Sequence, residues 1–130
     1  MPTQISAGAV VYAIDVKRLA AFYAGVTDLR VTQSEPGSVM LKASGFQLVV
    51  HAIPPHIAAQ IPIATPPQRR EDTPIKLVFV VHSLAGARSA AKLLGGELDA
   101  DDKVWEFQGL HVCDGHDPEG NVIQVRARAL

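Results

Sequence analysis

Residues 114–125 read Asp-Gly-His-Asp-Pro-Glu-Gly-Asn-Val-Ile-Gln-Val and set three carboxylates, a histidine and two glycines ahead of an apolar run. Calcium binding is the first chemistry to test, since its loop needs acidic residues at alternating positions, a mid-loop glycine and a bidentate glutamate at the twelfth place. Counted from Asp114 the twelfth residue is Val125; counted from Asp117 the alternation is broken by Pro118 and runs into Val122 and Ile123. The calcium reading fails on those grounds. A turn accounts for more of the run: Asp117 accepts backbone N–H groups, Pro118 presets φ, and Gly120 supplies a positive φ before a strand.

Other side chains with chemical capacity stand nearby. His111 and Cys113 flank Val112, so they share one face of any strand that contains them. With His51 they offer imidazole and thiolate, donors that suit zinc. A small buried cysteine beside a histidine on a core strand explains the same pair without any chemistry. As a nucleophile Cys113 needs a depressed thiol pKa, which spacing does not supply. His116 beside Asp117 has the makings of a general base with its orienting carboxylate, but adjacent residues in a turn point apart. Trp105 and Phe107 form either a core pair or an aromatic wall for a ligand; Tyr12 and Tyr23 carry the same two readings, and the core is the commoner outcome.

These groups belong to a chain of 130 residues, long enough to bury a core without disulfides or metal. Hydrophobic residues make up 48%, charged residues 19%, and the net charge is −1. So even a balance leaves no electrostatic footprint for nucleic acid, and the basic pair Arg69-Arg70 is followed at once by Glu71-Asp72. The one cysteine makes no internal disulfide, and the first residues lack a basic start with a long apolar stretch behind it. No apolar run approaches the ~20 residues that span a bilayer. A cytoplasmic protein with neither nucleic acid nor membrane as partner is expected.

The elements that must position the candidates repeat. AVVYAIDVKRLAAFYAGV (residues 9–26) is a β-branched run, then Asp15 as a helix N-cap, then Val16, Leu19, Phe22 and Val26 along one helical face. LVFVVHSLAGARSAAKLLGG (77–96) does the same, with Ser83 as cap, Leu84, Ala87, Ala91 and Leu94 as stripe and Gly95-Gly96 as stop. GFQLVVHA (45–52) and GNVIQVRA (120–127) each start on a glycine and continue as a strand. Between helix and last strand each half has room for two more: DLRVTQ and SVMLKA in the first, GELDA and a segment around KVWEFQGLHVC in the second. The expectation is an α+β fold of paired βαβββ modules, residues 1–53 and 75–130. The connector 54–74 lies between them in a stretch that holds six of the chain's nine prolines. Such a stretch is semi-rigid and long for a loop, which suits a segment that reaches over a cavity or a partner subunit.

The paired βαβββ pattern, the YAIDVKRLAAFYAGVTDL segment after the first strand and the DPEGNVIQV run near the C-terminus together resemble the vicinal oxygen chelate superfamily over essentially the whole chain. That superfamily includes glyoxalase I, extradiol dioxygenases, fosfomycin resistance enzymes and bleomycin resistance proteins. The resemblance implies a cupped mixed sheet with helices outside, a ligand enclosed in the concavity, commonly at a dimer interface, and in the enzymes a divalent metal held by the first and last strand of each module. The ligand places it implies fall at Gly8, Lys76, Val49 and Gln124. Glycine and valine lack donors and an ammonium repels a cation. Strand alternation puts His51 on the face of Val49, and Arg126 on that of Gln124.

The reading is a metal-free small-molecule-binding protein of the glyoxalase/bleomycin resistance type, a homodimer enclosing a polar or anionic organic ligand. Its cavity-lining residues are His51, Lys76, Trp105, His111, Gln124 and Arg126, and no cofactor is expected. The alternative is a metal-dependent lyase or dioxygenase with zinc, nickel or iron on displaced donors, His51, His111 and Gln124, with Glu106 as the nearby carboxylate. A structural or partner-binding module is the third possibility, because a fold alone does not fix a function.

Overall fold

Tyr23 and Phe22, adjacent on the first helix and both inaccessible to solvent, mark the place where the two halves of the chain share a core. The structure, a computed structural model, describes residues 4–128; residues 1–3 and 129–130, assigned above to the two modules, lie outside the described residues.

The first half runs β1 (Ala7–Ala13), α1 (Val16–Val26), β2 (Arg30–Glu35), β3 (Ser38–Ala43) and β4 (Phe46–Ala52), with sheet order β1-β4-β3-β2. β1 pairs with β4 in parallel and the other pairs are antiparallel, so the sheet is mixed. α1 begins where Asp15 accepts the N–H of Arg18 at 3.1 Å, and buries Val16, Leu19, Ala20, Phe22, Tyr23 and Val26. Those residues recur every three or four positions, the period of a helix with one apolar face. α2 (Pro55–Ala58) is a single turn within the connector.

The second half runs β5 (Leu77–Val81), α3 (Leu84–Leu93), β6 (Glu97–Leu98), a 3₁₀ turn at Asp101–Lys103, β7 (Trp105–Phe107), β8 (Leu110–His116) and β9 (Val122–Arg128). Ser83 caps α3 by accepting the N–H of Gly86 at 3.0 Å. Its C-terminus closes with Gly95 at φ +95° and the N–H of Gly96 donated to Ala91 O at 2.9 Å, the bond pattern of a glycine-terminated helix. The α+β reading holds, with mixed sheets of four and five strands.

One element departs from the expected order. KVWEFQGLHVC is not one strand but a hairpin, turning at Gln108 and Gly109, both at positive φ. β6 and β7 pair with opposite ends of β8, at Gly115–His116 and at Leu110–Val112, so together they fill one strand position interrupted by the 3₁₀ turn. Gln-Gly is a positive-φ pair suited to a tight hairpin, a signal the alternation of apolar residues masked.

Each sheet turns one face to the helices and leaves the other open. Leu48, Val50, Val39 and Leu41 on the first sheet and Phe79, Val81, Ile123 and Val125 on the second are buried. Ring contacts carry the core across the halves: Tyr23 lies 5.6 Å from Phe79, and Phe46 lies 6.3 Å from Phe79. Complete burial of one large apolar side chain is worth about 1.5–3 kcal/mol, so this shared seam is a principal source of stability.

Candidate functional site

The 117–121 turn is built first, because it aims the strands that carry the site. Asp117 is fully buried and accepts four hydrogen bonds: from the Tyr23 hydroxyl at 2.7 Å, Asn121 Nδ2 at 2.8 Å, and the N–H groups of Glu119 at 2.9 Å and Asn121 at 3.0 Å. Burial pushes its carboxyl above the usual range while these donors pull the other way. Tyr23 is raised well above an ordinary phenol, first by burial and then by the Asp117 charge. Glu119 reaches out of the turn to the start of α1, where it accepts from Ile14 N–H at 2.9 and 3.0 Å and from Asp15 N–H at 2.9 Å. Gly120 has φ +86°, and a Cβ there would stand 2.2 Å from Gln68 O. The 117–121 turn is a clasp that joins α1, the connector and β9, and the carboxylates of Asp117 and Glu119 are spent on backbone, amide and phenol donors.

Because the hairpin it closes pairs Asp114 with Gln124 and Val112 with Arg126, four polar groups line up on the open face of the second sheet. Lys76 Nζ lies 3.1 Å from Asp114 Oδ2, Gln124 Nε2 donates to Asp114 Oδ1 at 3.1 Å, and Arg126 Nε donates to Gln124 Oε1 at 2.8 Å. The guanidinium then lies 5.2 Å over the ring of Phe107. Trp105 pairs with Val112 and Phe107 with Leu110, which sets both rings on this same face, 41% and 46% exposed. The core-pair reading of Trp105 and Phe107 is therefore corrected: β7 is a short edge segment whose rings stay exposed, with the Arg126 guanidinium over Phe107. At the Lys76 end, Arg69 and Thr73 of the connector and Ile75 just beyond it close a pocket of about 200 Å³ against Asp114 and Val122.

Charge bookkeeping decides what this face attracts. Lys76 is neutralised by Asp114, but among the described residues no carboxylate lies within ion-pairing distance of Arg126. One guanidinium edge is held by Gln124 and, among the described residues, the remaining N–H donors make no hydrogen bond, a fork suited to a planar anion.

Lys76, Gln124, Arg126 and Trp105 are brought to one surface; His51 and His111 are not. His51 lies on β4 of the other sheet, its Nδ1 2.9 Å from Ala52 O and its ring edge-on to Tyr12 at 6.1 Å. His111 pairs with Ala127 and so projects from the face opposite Gln124, 3.4 Å from Glu106. The displaced trio His51, His111 and Gln124 is thus spread over three places, and among the described residues no group of three acidic, histidine or cysteine side chains could hold a metal ion. Cys113 faces α3, 3.3 Å from Asp99 O and 3.9 Å from Arg88 Nη2, with its thiol raised by burial. His116 turns its Nδ1 to Asp117 O at 3.0 Å and not to the carboxylate, so the general-base pair does not form. The ligand places implied by the superfamily do not fit a divalent ion: Gly8 has no donor and a Cβ there would stand 2.7 Å from Gln47 O, Lys76 is a cation in an ion pair, and the one oxygen of Gln124 is taken by Arg126.

Asp114 is the site residue that sequence reasoning missed, and Phe107, weighed with Trp105 as an aromatic wall, was left out of the cavity-lining set. The signal for Asp114 was available: it and Gln124 each lie five residues from Glu119, and residues equidistant from a hairpin's turn face each other.

Two βαβββ units over a common core, each with an open sheet face, define a protein of the paired-module vicinal oxygen chelate class. Within that class the chain belongs to the glyoxalase-like domain family, whose model matches residues 8–126. Among solved structures it is similar to a glyoxalase/bleomycin resistance protein from Albidiferax ferrireducens, at 14% identity over 96% of this chain and 98% of that one, TM-score 0.66. It is also similar to a glyoxalase/bleomycin resistance protein/dioxygenase family enzyme from Burkholderia phytofirmans, at 18% identity over 94% and 97% of the two chains, TM-score 0.64. Fosfomycin resistance protein FosX from Mesorhizobium loti shares the fold as well, at 10% identity over 100% and 96%, TM-score 0.63. At such identities the likeness is one of fold. No curated protein matches the chain in sequence. No helix among the described residues is long and apolar enough to cross a membrane.

Proposed function

We propose that the protein binds an aromatic or otherwise planar organic anion without a metal centre, on the open face of its second sheet, and that a second copy of the chain closes the site. The observation that carries this reading is the Lys76–Asp114–Gln124–Arg126 chain ending over Phe107. Where the superfamily's enzymes place metal donors, this chain has an internally neutralised ion pair and an amide. Next to them stand a free cation and two exposed rings, which suit the anionic and flat parts of one ligand. Sequestration needs only affinity, so nothing in the reading calls for a bond-making group. Support for enclosure by a second copy comes from the open faces themselves: Val10 and Tyr12 on the first sheet and Val78, Val80, Trp105 and Phe107 on the second are large apolar side chains left exposed on sheet faces, as at surfaces that meet a partner.

Calorimetric titration of the purified protein with 1-naphthoate, together with elemental analysis and sedimentation velocity, tests the proposal. Saturable binding by a metal-free dimer, weakened about tenfold or more by Arg126→Ala, is expected, that being the worth of one charge-assisted hydrogen bond. Stoichiometric zinc, nickel or iron whose removal abolishes binding would overturn it.

A further inference from the structure

A second cavity lies at the seam between the two sheets, with Gly8, Val10 and Tyr12 of the first sheet's open face in its lining. The outer edge of β1 and the starts of β5 and β9 bound a cleft of about 640 Å³, walled by Val11, Tyr23, Ile53, Leu77 and Ile123 and by the connector. That volume is in the range of small-molecule sites, and its wall is largely apolar, as such sites are. Thr73, Ile75 and Val122 line both this cleft and the 200 Å³ pocket beside Lys76, and so form the partition between them.

Its lining includes one cation. Arg70 lines the cleft, and among the described residues no carboxylate lies within ion-pairing distance of it. Its neighbour Arg69 differs, being paired with Asp99 at 3.0 Å. The backbone of Arg70 is fixed: its N–H donates to Gly120 O at 2.8 Å and it bridges in parallel to Asn121. A residue of fixed backbone, without an ion-pair partner among the described residues, thus lines an apolar hollow on one side and the neighbouring pocket of Asp72 and Glu119 on the other.

We infer that this cleft is a second ligand site, separate from the Arg126 face, and that it takes an amphiphilic monoanion whose carboxylate or comparable head meets Arg70 while its hydrocarbon part lies against Val10, Val11 and Leu77. Charge complementarity selects the head, and the apolar wall selects the tail. An uncharged chain of the same length forfeits the guanidinium contact, and a cationic one is repelled.

Titrations with decanoate, decanol and decyltrimethylammonium test this on the intact protein and on Arg70→Gln, Arg70→Glu and Arg126→Ala. Arg70 is exposed and holds its neighbours through backbone groups, so its variants keep the fold, which circular dichroism checks. One decanoate per chain is expected, weakened at least about tenfold in Arg70→Gln, with decanol unaffected by that change and Arg126→Ala neutral. Arg70→Glu is expected to exchange the preference for decanoate for one for the ammonium probe. Decanoate binding that is unsaturable, indifferent to Arg70, or lost in Arg126→Ala would overturn the inference. A change of oligomeric state in Arg70→Glu without loss of decanoate binding would overturn it too, marking the cleft as a contact between chains.

Discussion

Glu119 and Ile14, 105 residues apart in the chain, are joined by both oxygens of the carboxylate, at 2.9 and 3.0 Å from one backbone N–H. With Asp15 N–H at 2.9 Å, the side chain satisfies two donors at the entry to α1 and places its charge at the positive end of that helix. Glu119→Ala strands those donors. A loss of about 2 kcal/mol in urea unfolding is expected, with Glu119→Gln recovering part of it.

Tyr23→Phe removes one bond to Asp117 and leaves the ring packing intact. About 1–2 kcal/mol should be lost at neutral pH. The pH dependence supplies a second readout. A phenol whose folded pKa lies above its unfolded value, about 10, contributes stability that is fully present below that value and is lost as pH rises through the folded pKa. Alkaline destabilisation should therefore be shallower in Tyr23→Phe than in the parent, followed by chemical denaturation from pH 9 to 11.

Asp114→Asn separates charge from scaffold on the open face. The Lys76 pair is partly exposed, so stability should stay within about 1 kcal/mol of the parent. Lys76 is left uncompensated, and 1-naphthoate should bind more tightly, with the gain shrinking as salt is raised. Weaker binding would place Asp114 among the groups that touch the ligand.

Cys113 is buried against Asp99 and Arg88, and burial holds its thiol above the ordinary range. Alkylation by iodoacetamide at pH 8 should be about tenfold or more slower in the native protein than in urea.

Gly120→Ala meets two obstacles, a positive φ and the carbonyl of Gln68. A cost of at least about 2 kcal/mol is expected in thermal or urea unfolding.

The fold was legible because its signals are local and doubled. Asp15 and Ser83 cap as their sequence contexts require, and the 3.6-residue stripe of α1 lies within the buried set found, to which Ala20 and Tyr23 are added, Tyr23 through its contacts with Phe79 and Asp117 of the second half. Strand alternation likewise placed Gln124 and Arg126 side by side. What the alternation could not give is which face is open. Trp105 and Phe107 have the composition of a core pair, and only the shortness and edge position of β7 leave them in solvent. His111 and Gln124 were grouped by residue type, whereas the β8–β9 register separates them to opposite faces. The role of Glu119 was out of reach, because its partners lie on an element whose place beside the turn is set by long-range packing.

The sheet orders leave β1 and β5 each with an unpaired flank. Neither Ala7–Ala13 nor Leu77–Val81 contains a charged residue or a proline to discourage another strand from adding there, whereas β2 carries Arg30 and Glu35 and a register break. Self-association by strand addition should accordingly start at these two margins, which border the same cleft. An occupant of that hollow would act as a guard on them, so that solubility during preparation becomes a reporter of what the protein holds.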